Sequence, residues 1–347
     1  MEEVYPDVIR IDVPLRGSPL KETHAYLIRG NPRNLLVDSG WNNPECEQAL
    51  LGALQKLGVS LDDTDIFITH VHADHSGLSC VLKRPGNTVY MGKWDGDYSN
   101  AVVGVDYSVY LNSQSTLFGI PKSRIMQNHE YDLRRFMNNQ FLDFKAMNEG
   151  DRISVGRFEF EVLDLCGHTP AQLGLWERRQ GLLFCGDHIL VGISPNIVIW
   201  PDDMDSIRLF ADNLLKVRKL ELQHVFSAHR SPVEDYRKRI DELIDHHENR
   251  LAEQIKGIGD EELTVFEIAS RMHWDIAGGV FDLFPNQQTW FATSEAHAHA
   301  EHLYRRKLLQ KRMEKGQYLY KRAPGIGKTC DSVCVPRERL AFTIGES

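Results

Sequence analysis

The sequence predicts an α/β fold: two sets of strands with a histidine-rich loop between them, then a smaller helical module. Three observations carry this. Residues 8–13 alternate apolar and polar side chains with the period of a half-buried strand. A short apolar run, Asp65-Ile66-Phe67-Ile68-Thr69, opens directly into His70-Val71-His72-Ala73-Asp74-His75. A second group of strand-like runs follows an irregular interval. With 347 residues, the chain has room for one large and one smaller domain.

The elements follow in order. Residues 25–28 and 35–40 read as two more strands around a Gly/Asn/Pro turn, so the early sheet is expected to be antiparallel. Residues 44–57 place apolar side chains at helical spacing and stop at Gly58, and 88–91 read as the next strand. From 93 to 145 the pattern is irregular, with helical pieces expected at 109–118 and 131–138, and reads as an insertion beside the site. Strands resume at 151–165, punctuated by Gly156, and continue at 173–176 and 182–185. Residues 205–220 predict an amphipathic helix, 224–227 a strand and 236–255 a long charged helix. Beyond Gly257, the run 263–269, a helix over 293–313 and a strand at 317–320 suggest a winged-helix-like module, followed by a Gly-, Pro- and charge-rich tail.

Composition narrows the class. Apolar residues at 42% and charged residues at 26% exclude a mainly disordered or collagen-like chain. The start of the sequence has no basic and apolar leader, and no run approaches the ~18 apolar residues of a membrane span, so a cytoplasmic protein without a membrane partner is expected. Cys46, Cys80, Cys166, Cys185, Cys330 and Cys334 are scattered and read as reduced thiols; the Cys330/Cys334 pair is a weak metal motif. A net charge of −9 argues against unspecific nucleic-acid binding, and the basic residues between 303 and 322 are read as the solvated face of a terminal helix.

The chemistry gathers at residues 70–75. His70 and His72 lie two apart just after a strand, so both side chains can point the same way while the loop brings Asp74 and His75 alongside. Neutral imidazoles and a carboxylate suit zinc and related divalent ions. The cluster resembles the HxHxDH motif of the metallo-β-lactamase fold superfamily, and three later elements match that family in order. Asp38-Ser39-Gly40 corresponds to its Asp-Thr/Ser-Gly turn, Cys166-Gly167-His168-Thr169-Pro170 to its Gly-His-Thr-Pro element, and Gly186-Asp187 to its Gly-Asp element. His229, after the strand at 224–227, stands where the family has its last histidine ligand.

The resemblance implies a four-layer αββα metallo-β-lactamase sandwich with a small C-terminal winged-helix-like domain. The expected domains are a catalytic one at 1–256 with an insertion at about 93–145, the winged-helix-like one at 257–322, and a tail at 323–347. It further implies two divalent metal ions, zinc by default with iron or manganese as alternatives. One ion falls to His70, His72 and His168, the other to Asp74, His75 and His229, and Asp187 is shared. A water held between the ions as hydroxide would be the nucleophile, with Asp74 accepting or relaying a proton. Asp38 is expected to support the loop from behind, and His188 to be a supporting or pocket residue.

The sequence departs from the commonest family forms at Cys166, at Ala171-Gln172 and at Ser227-Ala228-His229-Arg230, where Pro-Gly-His-Gly is usual. None of these removes a ligand. The glutathione-binding residues of glyoxalase II have no identifiable counterpart. The expected function is hydrolysis of a small thioester or ester, with Tyr107, Tyr110, Phe118, Ile197, Ile199 and Trp200 as candidate pocket walls. A metal-dependent endoribonuclease using the basic segment on RNA is the alternative, a non-enzymatic metal-binding regulatory module a lesser one, and β-lactam hydrolysis is not expected. His224, His246 and His247 read as surface residues; His273, His297, His299 and His302 read as helix-surface or interface residues, the last compatible with a homodimer.

Overall fold

The computed structural model describes residues 1–126, 135–200, 204–275 and 279–326. The piece expected at 131–138 falls half outside them, and the tail with Cys330 and Cys334 lies beyond them. The chain forms two compact units, the first from Met1–Val105, Asp132–Pro195 and Lys216–Arg239, the second from Asp106–Tyr131, Asn196–Leu215 and the chain from Ile240 onward.

Strands β1 (Glu2–Tyr5), β2 (Val8–Leu15), β3 (Lys21–Ile28) and β4 (Asn34–Val37) pair antiparallel in chain order. Helix α1 (Pro44–Lys56) carries the chain back to β5 (Thr64–Ile68), which runs parallel to β4. Its start is encoded locally: the Asn43 side chain accepts the Cys46 N–H, Pro44 occupies the first turn, and Glu45 and Glu47 favour the positive helix end. The short helices α2 (Ala73–Ser76) and α3 (Ser79–Leu82) lead to β6 (Val89–Gly92). After α4 (Lys93–Ala101) and α5 (Tyr107–Phe118), β7 (Lys145–Met147) closes a seven-stranded sheet whose last three pairings are parallel. The irregular-looking residues 93–101 are thus helical.

A second sheet holds β8 (Arg152–Val155), β9 (Phe158–Asp164), β10 (Leu173–Glu177) and β11 (Leu182–Gly186), all antiparallel. After α6 (Ser206–Arg218), β12 (His224–Ser227) joins β11 in parallel. The sheets face each other through a dry core in which Tyr26, Val37 and Phe67 of the first meet Phe158, Phe160, Phe184 and Phe226 of the second. Each fully buried phenylalanine contributes about 1.5–3 kcal/mol, and this apolar interior offsets the cost of the polar cluster described below. The opposite face of β2 carries Ile11, Val13 and Leu15 and packs under α1. A one-residue slip of β2 would exchange these two sets, so alternation fixes its register.

The second unit contains most of α7 (Tyr236–Ile258), β13 (Leu263–Thr264), α8 (Val265–Ser270), α9 (Asn286–Arg305), β14 (Leu309–Glu314) and β15 (Gln317–Arg322). Two expectations are corrected here. The helix expected to reach residue 313 ends at Arg305, and 309–322 form a hairpin turning at Lys315-Gly316, both with positive φ (51° and 79°) as a two-residue hairpin turn requires. The basic residues therefore decorate a hairpin rather than a helix face, and several are paired. Lys311 meets Glu301 at 2.5 Å, Arg322 meets Asp260 at 2.6 Å, and Arg312 binds Glu262 and Glu314.

Of the histidines of this unit, His247, His297, His299 and His302 are interior, not surface, and His246 is partly buried. His247 donates to or accepts from His299 at 3.1 Å, His299 Nδ1 donates to the Glu295 carbonyl at 2.8 Å, and His302 meets Asp205 at 3.0 Å. His297 packs between the Phe118 and Tyr318 rings. Burial keeps His247 well below its ordinary pKa and brings His299 down to about 3, so both are neutral. His273 alone of these is exposed, beside Asp275.

Glu301 is the electrostatic anchor of the hairpin. Burial raises its pKa, but bonds from His297, Lys311 and Tyr320 prevail and bring it down to about 2. A depressed carboxylate stabilises the fold above its unfolded pKa, and that contribution fades as pH falls from about 4.5 toward 2. Glu301→Gln should therefore lose roughly 1.5–3 kcal/mol at neutral pH. Chemical denaturation at pH 7 and pH 2.5 checks this: the gap between the two proteins should be wide at pH 7 and narrow at pH 2.5.

Candidate metal centre

Each of the seven expected site residues stands where a strand of the first unit ends. Strand β5 delivers His70, His72, Asp74 and His75; the β9–β10 connection carries His168; Asp187 follows β11 and His229 follows β12. Their ligand atoms form three overlapping groups, His70/His72/His168, His70/His75/Asp187 and Asp74/His75/His229, each within 4.8 Å. All seven residues expected from the sequence are thus brought together. His188 is buried beside Asp187, and His224 lies exposed at the far end of β12, against the Tyr5 ring.

Asp38 organises the loop from beneath. Its carboxylate accepts from the Thr69 N–H, the Thr69 hydroxyl and His75 Nδ1, each at 2.8 Å. Because carboxylate oxygens only accept, His75 donates from Nδ1 and turns Nε2 toward the site. Thr69 has spent its proton on Asp38, so at 3.1 Å it receives His70 Nδ1–H, which turns His70 Nε2 toward the site, 3.1 Å from His72 Nδ1. His229 Nδ1 donates to the Glu22 carbonyl at 2.8 Å. Imidazoles held by one nitrogen to an acceptor and offering the other are the arrangement metal ligands adopt.

Other ligand atoms of the cluster find no hydrogen bond among the described residues. His75 Nε2, His229 Nε2 and Asp187 Oδ1 are buried and unsatisfied. Asp187 lies 3.5 Å from His75, 3.7 Å from His168 and 3.4 Å from His229, while Asp74 lies 3.3 Å from His229 and 3.8 Å from His75. Such spacings exceed good hydrogen bonds but suit atoms that share a cation, so the donor set fits divalent metal.

The field is divided within the cluster. Burial, reinforced by neighbouring histidines, holds His70 well below the usual range and His72 at about 3. Burial also opposes charge on His75 and His229, yet the carboxylates around them outweigh it and raise both. Asp74 falls to about 2 and Asp187 is held well below the usual carboxylate range, because the histidine charges overcome burial.

Two backbone features make the geometry possible. Gly186 has φ +53°, and a Cβ there would sit 2.7 Å from the Thr69 hydroxyl. Arg230, where the family commonly has glycine, adopts φ +69° all the same.

Asp95 on α4 was not singled out by sequence. It is fully buried and accepts from the Val71 N–H at 2.9 Å, the Thr169 hydroxyl at 2.6 Å and the Ala171 N–H at 2.9 Å. One carboxylate thereby ties the loop of His70 and His72 to the loop of His168. Burial pushes its pKa up to about 6 despite these three donors.

Two facing sheets with His/Asp metal-binding groups along one edge define a hydrolase of the metal-binding kind. The metallo-beta-lactamase superfamily model matches residues 19–229, and the chain belongs to that superfamily. Among similar proteins, the "Probable metallo-hydrolase YqjP" of Bacillus subtilis is 23% identical over 285 residues, covering 77% of this chain and 85% of that one. The hydroxyacylglutathione hydrolase GloC of Haemophilus influenzae is 25% identical over 172 residues, 49% of this chain and 68% of its own. A metallo-beta-lactamase family protein of Thermus thermophilus superimposes with a TM-score of 0.76 at 25% identity, covering 92% of this chain and 99% of the other. The mixed α/β sandwich expected from the motifs is the fold observed.

Replacing Asp95 by alanine leaves two buried N–H groups without an acceptor, at a cost of about 1–3 kcal/mol each. Asp95→Ala should lower the melting temperature and weaken metal retention roughly 10–100-fold. Equilibrium dialysis against a chelator, run beside thermal unfolding, reads both effects, and Asp95→Asn should recover part of the stability.

Proposed function

We propose that this chain is a dinuclear metal hydrolase acting on a small thioester or ester. The observation that carries the two-ion reading is Asp187, whose carboxylate lies 3.4–3.7 Å from His75, His168 and His229 and so touches both halves of the cluster. In this assignment His70, His72 and His168 would hold one ion and Asp74, His75 and His229 the other, with Asp187 available to both. Divalent ions held by these residues would supply activation of a water and polarisation of a carbonyl. Zinc suits the His/Asp donors, and iron or manganese would accept them too.

The chain's own part is orientation and proton handling. Asp74 is the most open carboxylate of the set, with a side chain 16% exposed against 9% for Asp187. Ionised at neutral pH, it accepts a hydrogen bond from water, orients it, and passes its proton outward instead of storing it. Asp38 keeps His75 in one tautomer throughout, through the bond to Nδ1.

The substrate class rests on a relative named for a thioester, hydroxyacylglutathione, and on the superfamily's hydrolase class. An RNA substrate finds less support, because Lys311, Arg312 and Arg322 are already paired with acids. Phe118, Ile197 and Trp200, considered as pocket walls, are buried within the second unit, with Phe118 against Trp290. We further assign catalysis to residues 1–256 and a winged-helix-like module to 257–322, on the helix, helix, hairpin order of α8, α9, β14 and β15.

A panel of acyl thioesters, acyl lactones and nitrocefin, assayed with metal-loaded protein, tests the reading. Thioesters or simple esters should be turned over, Asp74→Ala should reduce kcat about 100-fold or more, and chelation should abolish activity. Turnover no greater than that of Asp74→Ala across the panel would sink it.

A further inference from the structure

Strands β2 and β3 carry another group of ligand-type atoms, separate from the seven residues above. Asp12 and His24 are direct cross-strand partners, and Glu22 lies two residues before His24 on the same face. His24 Nε2 is 3.6 Å from Glu22 Oε1 and 3.9 Å from Asp12 Oδ1, and the three ligand atoms lie within 4.8 Å of one another.

The histidine is built for this position. Its ring is buried, only 3% of the residue remaining exposed, and Nδ1 lies 3.2 Å from the Ser227 carbonyl. A carbonyl can only accept, so Nδ1 carries the proton and Nε2 presents a lone pair to two carboxylates. That contact repels unless something positive lies between. A proton on Nε2 is disfavoured, since burial, partly offset by the Ser227 bond, holds His24 below its ordinary pKa. At 3.6 and 3.9 Å, moreover, the nitrogen stands beyond hydrogen-bonding range of either acid.

The principal cluster supplies an internal standard. Its histidine-to-carboxylate spacings run from 3.3 to 3.8 Å; of those of His24, 3.6 Å falls inside that interval and 3.9 Å just past it. Atoms each about 2.0–2.2 Å from one ion stand some 3–4 Å apart. The positive groups nearby are Arg10, 2.8 Å from Asp12 Oδ1, and the N-terminal amine, 3.6 Å from Asp12 Oδ2. Both engage Asp12. Among the described residues, neither the Glu22 carboxylate nor His24 Nε2 has a hydrogen bond.

We propose that Asp12, Glu22 and His24 bind a further divalent cation of the zinc type, at a site distinct from the dinuclear centre. Glu22 is half-exposed, which gives the ion a route from water and leaves coordination positions for solvent. The site also stands behind a principal ligand: the Glu22 carbonyl receives His229 Nδ1, and the His24 N–H donates to the Ala228 carbonyl at 2.7 Å. An ion here stiffens the backbone that aims His229.

Calorimetric titration of the metal-free full chain with Zn2+ tests this, with Co2+ absorption as a second readout. The wild-type chain should take up one equivalent more than His24→Gln. Glu22→Gln alters a half-exposed side chain on an intact fold, and should weaken that additional equivalent at least tenfold. The comparison is a difference between proteins, so it stands whether the principal centre takes one ion or two, and failure of the hydrolase assay leaves it untouched. Should His24→Gln fail to fold, Glu22→Gln decides the matter. Equal stoichiometry and affinity in wild type and Glu22→Gln would overturn the proposal.

Discussion

Three hydrogen bonds onto the buried carboxylate of Asp38 set the geometry on which everything else at the centre depends. A carboxylate removed from water costs several kcal/mol unless its lone pairs are matched, and here three donors match them. Satisfying that need fixes His75 by its Nδ1 and, through Thr69, fixes His70 as well. Two imidazoles from opposite ends of one short loop are thus aimed by a single residue. Asp95 performs the complementary task at the level of the backbone, joining the Val71 and Ala171 peptides.

Much of this was legible in the sequence, and for identifiable reasons. Strands such as β2 and β5 advertise themselves through period-two alternation or a short apolar run, and His70-x-His72-x-Asp74-His75 is dense enough that chance is a poor explanation. Asp95 was invisible because its partners are backbone N–H groups brought near only by tertiary folding, and Lys93-Trp94-Asp95-Gly96-Asp97 looks like any polar surface stretch. The over-long final helix has a different cause. Leu309 and Met313 lie four residues apart and imitate a helix face, whereas the signal to trust was Lys315-Gly316, a pair suited to a tight hairpin.

The second unit shows how little residue type alone says about charge. Its histidines look polar in sequence, yet His247 and His299 are buried and neutral. Its lysines and arginines look like a basic surface, yet Lys311 is folded against Glu301 and over the Tyr318 ring at 3.8 Å. Residue type misleads for both sets, because burial keeps these histidines neutral and the cations are paired with acids.

The seven clustered residues come from both sheets: four follow β5 of the first, and His168, Asp187 and His229 hang from the second. Cross-sheet bonds already knit this edge, from Leu173 N–H to the Thr69 carbonyl at 2.8 Å and from the Tyr26 hydroxyl to the Ser227 carbonyl at 2.6 Å. Ions bound across such a seam act as rivets between the layers. Their binding free energy then belongs to the cohesion of the sandwich, and the heat tolerance of the protein becomes a function of how much free metal surrounds it.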